Sequence, residues 1–254
     1  MEKKRQIAAV LILLALIGVI AYRHSTGKDL EKYEASFFDV FDTQTQIIGY
    51  ASSKEQFSEQ MSLIKDKFQY YNDLYDIYHD YEGMNNIKTI NDNAGIQPVK
   101  VDEEIIELLK LGITMDEKTD GNMNIAMGSV LSIWHDYREA GSEDPYSAEL
   151  PPMDELERAA EHTDIHNIVI DEEASTVYLT DPDMSLDVGS IGKGYAVQKV
   201  AEYAKNELGI RYMLFSVGGN VCAIGGHPDG SAWAVGIQNP DVESDQAYIK
   251  KVEV

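Results

Sequence analysis

The sequence predicts an α+β fold, with mixed sheets and helices packed on them, behind one N-terminal apolar helix. Three observations lead there. Apolar residues step by three and four over Lys54–Tyr78 and again beyond Asp102, the signature of amphipathic helices. Short runs rich in β-branched and aromatic residues recur without the regular alternation of a doubly wound sheet. An unbroken apolar run from Ile7 to Tyr22 stands between Lys3, Lys4 and Arg5 on one side and Arg23 and His24 on the other.

That first run is a little short for a bilayer span of about 20 residues, but flanking Lys and Arg side chains snorkel. No small-x-small cleavage site follows it cleanly, because Ala21 precedes Tyr22 and Arg23, and no lipid-anchoring cysteine follows. Residues 1–27 therefore read as an uncleaved signal anchor, with a cleaved signal peptide as the competitor. The basic N-terminal flank puts the chain beyond about residue 25 outside the cytoplasm, so the expected location is the cell membrane, single-pass, with the bulk of the chain extracytoplasmic. Residues 28–35 read as a polar linker, and 36–254 as one domain.

Phe37–Tyr50 reads as strand, closed by Gly49. Lys54–Tyr78 follows as a helix carrying Phe57, Met61, Ile64, Phe68, Tyr71, Tyr75 and Tyr78, whose tyrosines suit core packing better than ligand stacking. Asn85–Gly95 is Asn-rich and reads as loop. Asp102 caps the next helix, and another apolar-periodic segment runs from Ile125 to Tyr137. The acidic stretch Ala140–Pro152 reads as loop. Asn167–Ile170 and Thr176–Leu179 flank an acidic turn as a hairpin. Gly192–Leu208 reads as a helix stopped by Gly209. Tyr212–Val217, Val221–Ile224 and Ala232–Ile237 are further short strands.

Composition narrows the function. The chain has 254 residues and a formal net charge of −23. Such a surface repels phosphate backbones and anionic lipid, which argues against nucleic-acid binding. The single cysteine, Cys222, excludes an internal disulfide and Cys-rich metal sites. The six histidines show no HExxH pair. His162 and His166, four apart, lack a third ligand nearby in sequence and read as surface residues. No Gly-x-Ser-x-Gly elbow is present.

Three segments can carry chemistry. Asp187-Val-Gly-Ser-Ile-Gly-Lys-Gly194 lies between strand and helix. It is neither a P-loop nor a Rossmann fingerprint. It reads as a tight turn with a helix start, or as an anion-binding turn, and the pairing of Asp187 with Lys193 favours the second. A carboxylate here can accept from a ribose or flavin donor, or hold hydrated magnesium. Gly218-Gly-Asn220 reads as a hairpin turn or a site of close ligand approach. Thr119-Asp-Gly-Asn-Met-Asn-Ile-Ala-Met-Gly128 offers Asn122 and Asn124 as readers of a heterocycle edge, or as ordinary caps and turn residues.

Together these segments resemble the ApbE-type flavin transferases, the FAD:protein FMN transferases. The matching pieces are Phe41-Asp-Thr43, Tyr78 and Asn91, Gly121–Gly128 with Trp134, Leu186–Ala196, Gly218-Gly-Asn220, and Trp233 to Pro240. The resemblance covers residues 36–254. The Asp187–Ala196 segment followed by Gly-Gly-Asn is its specific part. It implies an α+β flavin transferase domain that contacts FAD through Phe41, Tyr78, Asn122, Met123, Asn124, Asp187 and Lys193. It also implies a magnesium ion taking an oxygen of Ser190, through its backbone carbonyl. The implied reaction splits FAD at its pyrophosphate, attaches FMN to a Thr or Ser hydroxyl of an acceptor protein and releases AMP. The chain departs from the family at Phe41-Asp42, where Met-Gly is usual, and at Asn124, where Asp is usual. The family's C-terminal metal ligands lie beyond Val254, so truncation of the domain and a weakened magnesium site are expected. The alternative reading is a membrane-tethered, catalytically impaired module that binds a flavin nucleotide.

Overall fold

The computed structural model describes residues 30–254. The expected anchor over residues 7–22 lies outside them. Among the described residues no helix is long and apolar enough to cross a membrane.

Strand β1 (Glu31–Val40) pairs antiparallel with β2 (Thr43–Ala51). Residues 31–35, expected as linker, begin this strand. Tyr33, Ala35 and Phe37 alternate onto the core while Lys32 and Glu34 point outward, a period-2 pattern masked by the charges between. The single strand expected over Phe37–Tyr50 is broken at Phe41 and Asp42, which have φ of +53° and +47°. Two left-handed residues in succession make the tight turn that matches strand twist.

Helix α1 (Lys54–Tyr75) starts at Ser53, whose hydroxyl accepts from the Gln56 N–H at 3.2 Å. Its apolar stripe behaves as the spacing predicts, burying Phe57, Ile64, Phe68, Tyr71, Leu74 and Tyr75. Tyr78 lies past its end, because Asp76 already has extended backbone. The Asn-rich stretch expected as loop contains α2 (Ile87–Asp92). The Asn86 side chain accepts from the Thr89 N–H while the Thr89 hydroxyl takes the Asn86 N–H, a reciprocal cap. The asparagines that suggested a loop thus begin a helix.

After β3 (Val99–Lys100) comes α3 (Glu103–Lys118). Asp102 precedes it as expected but makes no side-chain cap; its carboxylate accepts from the Tyr70 hydroxyl at 3.3 Å. Helix α4 (Gly128–Glu143) follows, then α5 (Met153–Ala160), which periodicity missed because none of its residues is buried. The hairpin of β4 (Ile168–Asp171) and β5 (Thr176–Leu179) falls where expected. Helix α6 (Gly192–Asn206) ends before Gly209, which has φ of +67°. Strands β6 (Met213–Val217), β7 (Asn220–Ile224) and β8 (Ala234–Gln238) also match; β9 (Tyr248–Glu253) was not anticipated.

The sheets, expected as mixed, are antiparallel throughout. Their orders are β1-β2-β6-β7, β3-β5-β4 and β8-β9. Most neighbours are hairpin partners, and after the long helical excursion β6 enters beside β2 at the end where the chain left it, Met213 opposite Gly49. Helices α1 and α6 pack on each other and on the four-stranded sheet. Between them Phe68 meets Phe215 edge-on at 6.3 Å, with Ile47, Ile64 and Leu74 fully buried around the pair. Each such side chain contributes about 1.5–3 kcal/mol on burial. This core brings the β1–β2 turn, the C-terminus of α1 and the N-terminus of α6 to one end of the molecule.

Candidate functional site

At that end lies a cavity of about 420 Å³ lined by Phe41, Tyr75, Tyr78, Asp187, Gly189 and Lys193 among others. Four of the residues proposed from sequence therefore meet at one site, although they come from three distant segments.

The Asp187 segment is held from two sides. The Asn91 side chain donates to the Leu186 carbonyl at 3.0 Å and accepts from the Leu186 N–H at 2.7 Å. The Asp187 N–H donates to the Ile125 carbonyl at 2.9 Å, and the Gly128 N–H to the Ser185 carbonyl at 3.1 Å. Gly128 permits this approach, since a Cβ there would lie 2.5 Å from the Ser185 hydroxyl. Asp187 Oδ1 accepts the Gly189 N–H at 2.8 Å, tightening the turn into α6. No side chain caps α6. Its first turn keeps donors and a partial positive charge for an anion, and Lys193, its second residue, adds a full one.

Tyr78 is positioned by a residue that sequence reading missed. Asp76 Oδ1 accepts from the N–H groups of Tyr78 and His79, at 2.6 and 3.3 Å. Its Oδ2 accepts from the Tyr81 hydroxyl at 2.7 Å and lies 2.9 Å from His79 Nδ1. Burial raises the Asp76 pKa, but these donors outweigh it and hold the carboxyl below its ordinary value. A signal was available: an acid just past a helix C-terminus opposes the dipole and needs another partner. Burial, then the nearby charge of Asp187, pushes the Tyr78 phenol up.

The cavity opens beside a second of about 460 Å³, lined by Tyr78, Leu131, Trp134, His135, Tyr137, Arg138, Glu149 and Asp187. Tyr78 and Asp187 belong to both. The β6–β7 turn packs on the start of β2: Gly218 and Gly219 have φ of +52° and +91°, and a Cβ on Gly218 would lie 2.5 Å from Thr43 Oγ1.

Asn122, Met123 and Asn124 line neither cavity. The Asn122 amide donates to the Thr119 carbonyl at 2.7 Å, and that of Asn124 to the Thr163 carbonyl at 2.8 Å. Asn124 Oδ1 also accepts the Ala126 N–H at 2.7 Å. Their side chains shape the loop that delivers Ile125 and Gly128 to the Asp187 segment. Ser190 is exposed in the turn before α6.

Among the described residues, His162, Asp181 and Asp183 form the one group of three with metal-ligand spacing. His162 thus has the neighbours that its sequence context lacked, brought by the turn after β5. Its Nδ1 lies 2.9 Å from Asp181 and its Nε2 4.0 Å from Asp183. The two carboxylates face opposite ring nitrogens, the arrangement of an ion pair with a protonated ring. The contact with Asp181 raises the His162 pKa.

The sequence profile of the ApbE family matches residues 41–254. Curated relatives named FAD:protein FMN transferase include one from Escherichia coli, 26% identical over 180 residues, covering 70% of this chain and 50% of its own length. Another, from Klebsiella pneumoniae, is 25% identical over 215 residues, covering 85% of this chain and 63% of its own. The crystal structure of an ApbE protein from Thermotoga maritima shares the fold, with a TM-score of 0.72 at 24% identity over 88% of this chain and 68% of that one. The flavin transferase ApbE from Vibrio cholerae gives a TM-score of 0.68 at 20% identity over 89% of this chain and 68% of that one. The chain spans about half the length of the first of these curated relatives.

Proposed function

The chain belongs to the ApbE family, and we propose that it acts as an FAD:protein FMN transferase. The observation that carries this reading is the convergence of Phe41, Tyr78, Asp187 and Lys193 on one cavity at an uncapped helix N-terminus. Aromatic rings suit a flavin or purine face, and the helix start with Lys193 suits a pyrophosphate.

In the proposed reaction a Thr or Ser hydroxyl of an acceptor protein attacks the phosphorus on the FMN side of the pyrophosphate. The new P–O bond forms as the bond to the AMP phosphate breaks, and the hydroxyl proton is released. Catalysis of this kind is positioning and charge neutralisation. Asp187 accepts from the nucleotide through the oxygen not held by Gly189. Lys193 and the first turn of α6 balance phosphate charge, and Tyr78 covers the ligand where the two cavities meet. Magnesium riding on a pyrophosphate takes phosphate oxygens, water and one or two protein carboxylates. Ser190, exposed in the turn before α6, would offer that ion a single neutral oxygen, a weak hold by itself. When bound, the metal would neutralise charge developing on the phosphate oxygens. Residues 7–22 would tether the chain, with the site outside the cytoplasm.

The test is incubation of the chain with FAD, magnesium and a flavin-acceptor protein. AMP release with covalent, fluorescent labelling of the acceptor is the expected result. FAD binding without AMP release would favour the non-catalytic binding module. No FAD binding at all would end both readings.

A further inference from the structure

Tyr78 is the one aromatic residue that lines both cavities. Asp76 fixes its backbone, yet Tyr78 as a whole is 55% exposed. The ring's support comes from one turn of α4. The His135 ring lies against it, with centroids 5.0 Å apart and planes inclined by 30°. The Tyr78 hydroxyl is 3.4 Å from His135 Nδ1.

His135 is itself held on both edges. Arg138 Nη2 lies 2.8 Å from Nδ1, and Glu139 Oε1 lies 3.0 Å from Nε2. A guanidinium only donates, so Nδ1 is the acceptor. The ring proton then sits on Nε2 and is donated to Glu139. Residues at i, i+3 and i+4 share one helix face, so 135, 138 and 139 form a rack built by the helix itself. An exposed side chain ordinarily samples several rotamers; this one has a partner across the cleft whose orientation is set by two charges.

We propose that His135 is a positioning residue, holding the Tyr78 ring in the orientation that receives the flavin nucleotide, with Arg138 and Glu139 orienting His135 in turn. This rests on the function proposed above and assigns the rack a part in that same site. His135 touches no reacting atom.

Calorimetric titration of the full chain with FAD tests it. His135→Ala should weaken binding about tenfold, the scale of one lost polar contact, and leave the melting temperature unchanged. Tyr78→Ala should weaken it at least as much. The double variant should match Tyr78→Ala within about twofold, since a rack has nothing to hold once the ring is gone. His135→Phe keeps a flat ring but bonds neither Arg138, Glu139 nor the Tyr78 hydroxyl, so it should recover only the stacking part of the affinity and fall, like Arg138→Ala, between wild type and His135→Ala. Induced visible circular dichroism of saturating FAD should be reduced in His135→Ala, because the ring no longer sits at a fixed angle to the flavin. Unchanged affinity in His135→Ala, or losses that simply add in the double variant, would overturn the inference. So would a Tyr78→Ala chain that binds FAD normally, with the parent reading left standing. An unaltered chain that melts cooperatively but binds no FAD would remove the parent reading and this inference together.

Discussion

Asp187 and Asp76 are both carboxylates at the site, and they do different work. Asp187 has one oxygen committed to the Gly189 N–H, so truncation to Ala removes a turn contact and a charge at once. Asp187→Asn separates them, because its amide oxygen still accepts from Gly189. It should keep the melting temperature yet weaken FAD binding by more than tenfold, the scale of a hydrogen bond to a charged group; calorimetry and a thermal melt together check this. Asp76 instead holds a loop. With Tyr78, His79 and Tyr81 all bonded to it, Asp76→Ala should cost about 2–3 kcal/mol in urea denaturation. Its folded pKa is depressed, the donors prevailing over burial, which acts the other way. Its contribution is therefore present above the unfolded carboxyl range and lost as pH falls through the folded value. The stability gap between wild type and Asp76→Ala should narrow in acid.

At the scale of elements, two tight turns set the end of the sheet. The β6–β7 turn uses Gly218-Gly219, while the β1–β2 turn places Phe41 and Asp42 in left-handed conformations that disfavour a side chain. Asp42→Gly should therefore stabilise the fold by about 0.5 kcal/mol, relief of about 1–2 kcal/mol of left-handed strain being offset by about 0.5–1 kcal/mol of extra unfolded-state entropy. Gly218→Ala should destabilise it by about 1–3 kcal/mol, because the new Cβ meets Thr43 Oγ1 at 2.5 Å as well as adopting φ of +52°. Thermal melts of the two variants should move in opposite directions. The Phe41 N–H donates to Asn72 Oδ1 at 2.7 Å, which ties this turn to α1. The departure from Met-Gly, visible in the sequence, is thus accommodated in the turn while Phe41 still reaches the cavity.

Across the whole molecule, His162 joins the segment after α5 to the turn after β5, which leads into the Asp187 segment. Hydrogen bonding and charge from Asp181 raise the folded His162 pKa. That contribution is complete below the unfolded value of about 6.5 and is lost as pH rises through the folded one. His162→Gln should therefore lose most stability, relative to wild type, below about pH 6.5 and progressively less above it. Denaturant midpoints at a series of pH values check this. A difference that grew with pH would mean that the ring is neutral in the fold.

Features that depend on periodicity and on short local patterns could be read from the residues alone. The apolar stripe of α1, the β4–β5 hairpin, α6 with its Gly209 stop and the strands around Gly218-Gly219 were legible because neighbours in sequence create them. So were Phe41, Tyr78, Asp187 and Lys193 as one constellation, through the family resemblance of their segments. Tertiary structure decided the rest. Helix α2 was hidden because its asparagines cap rather than break, and β1 because Lys32 and Glu34 mask the alternation of Tyr33, Ala35 and Phe37. Asn122 and Asn124 were spent on Thr119 and Thr163, contacts that no spacing rule announces. Asp76 and His135 lie far apart in sequence yet hold the same tyrosine, one by its backbone and one by its ring. Residue type sets what a group can bond to, but only packing decides which bonds it makes within the fold and which atoms it leaves for a ligand.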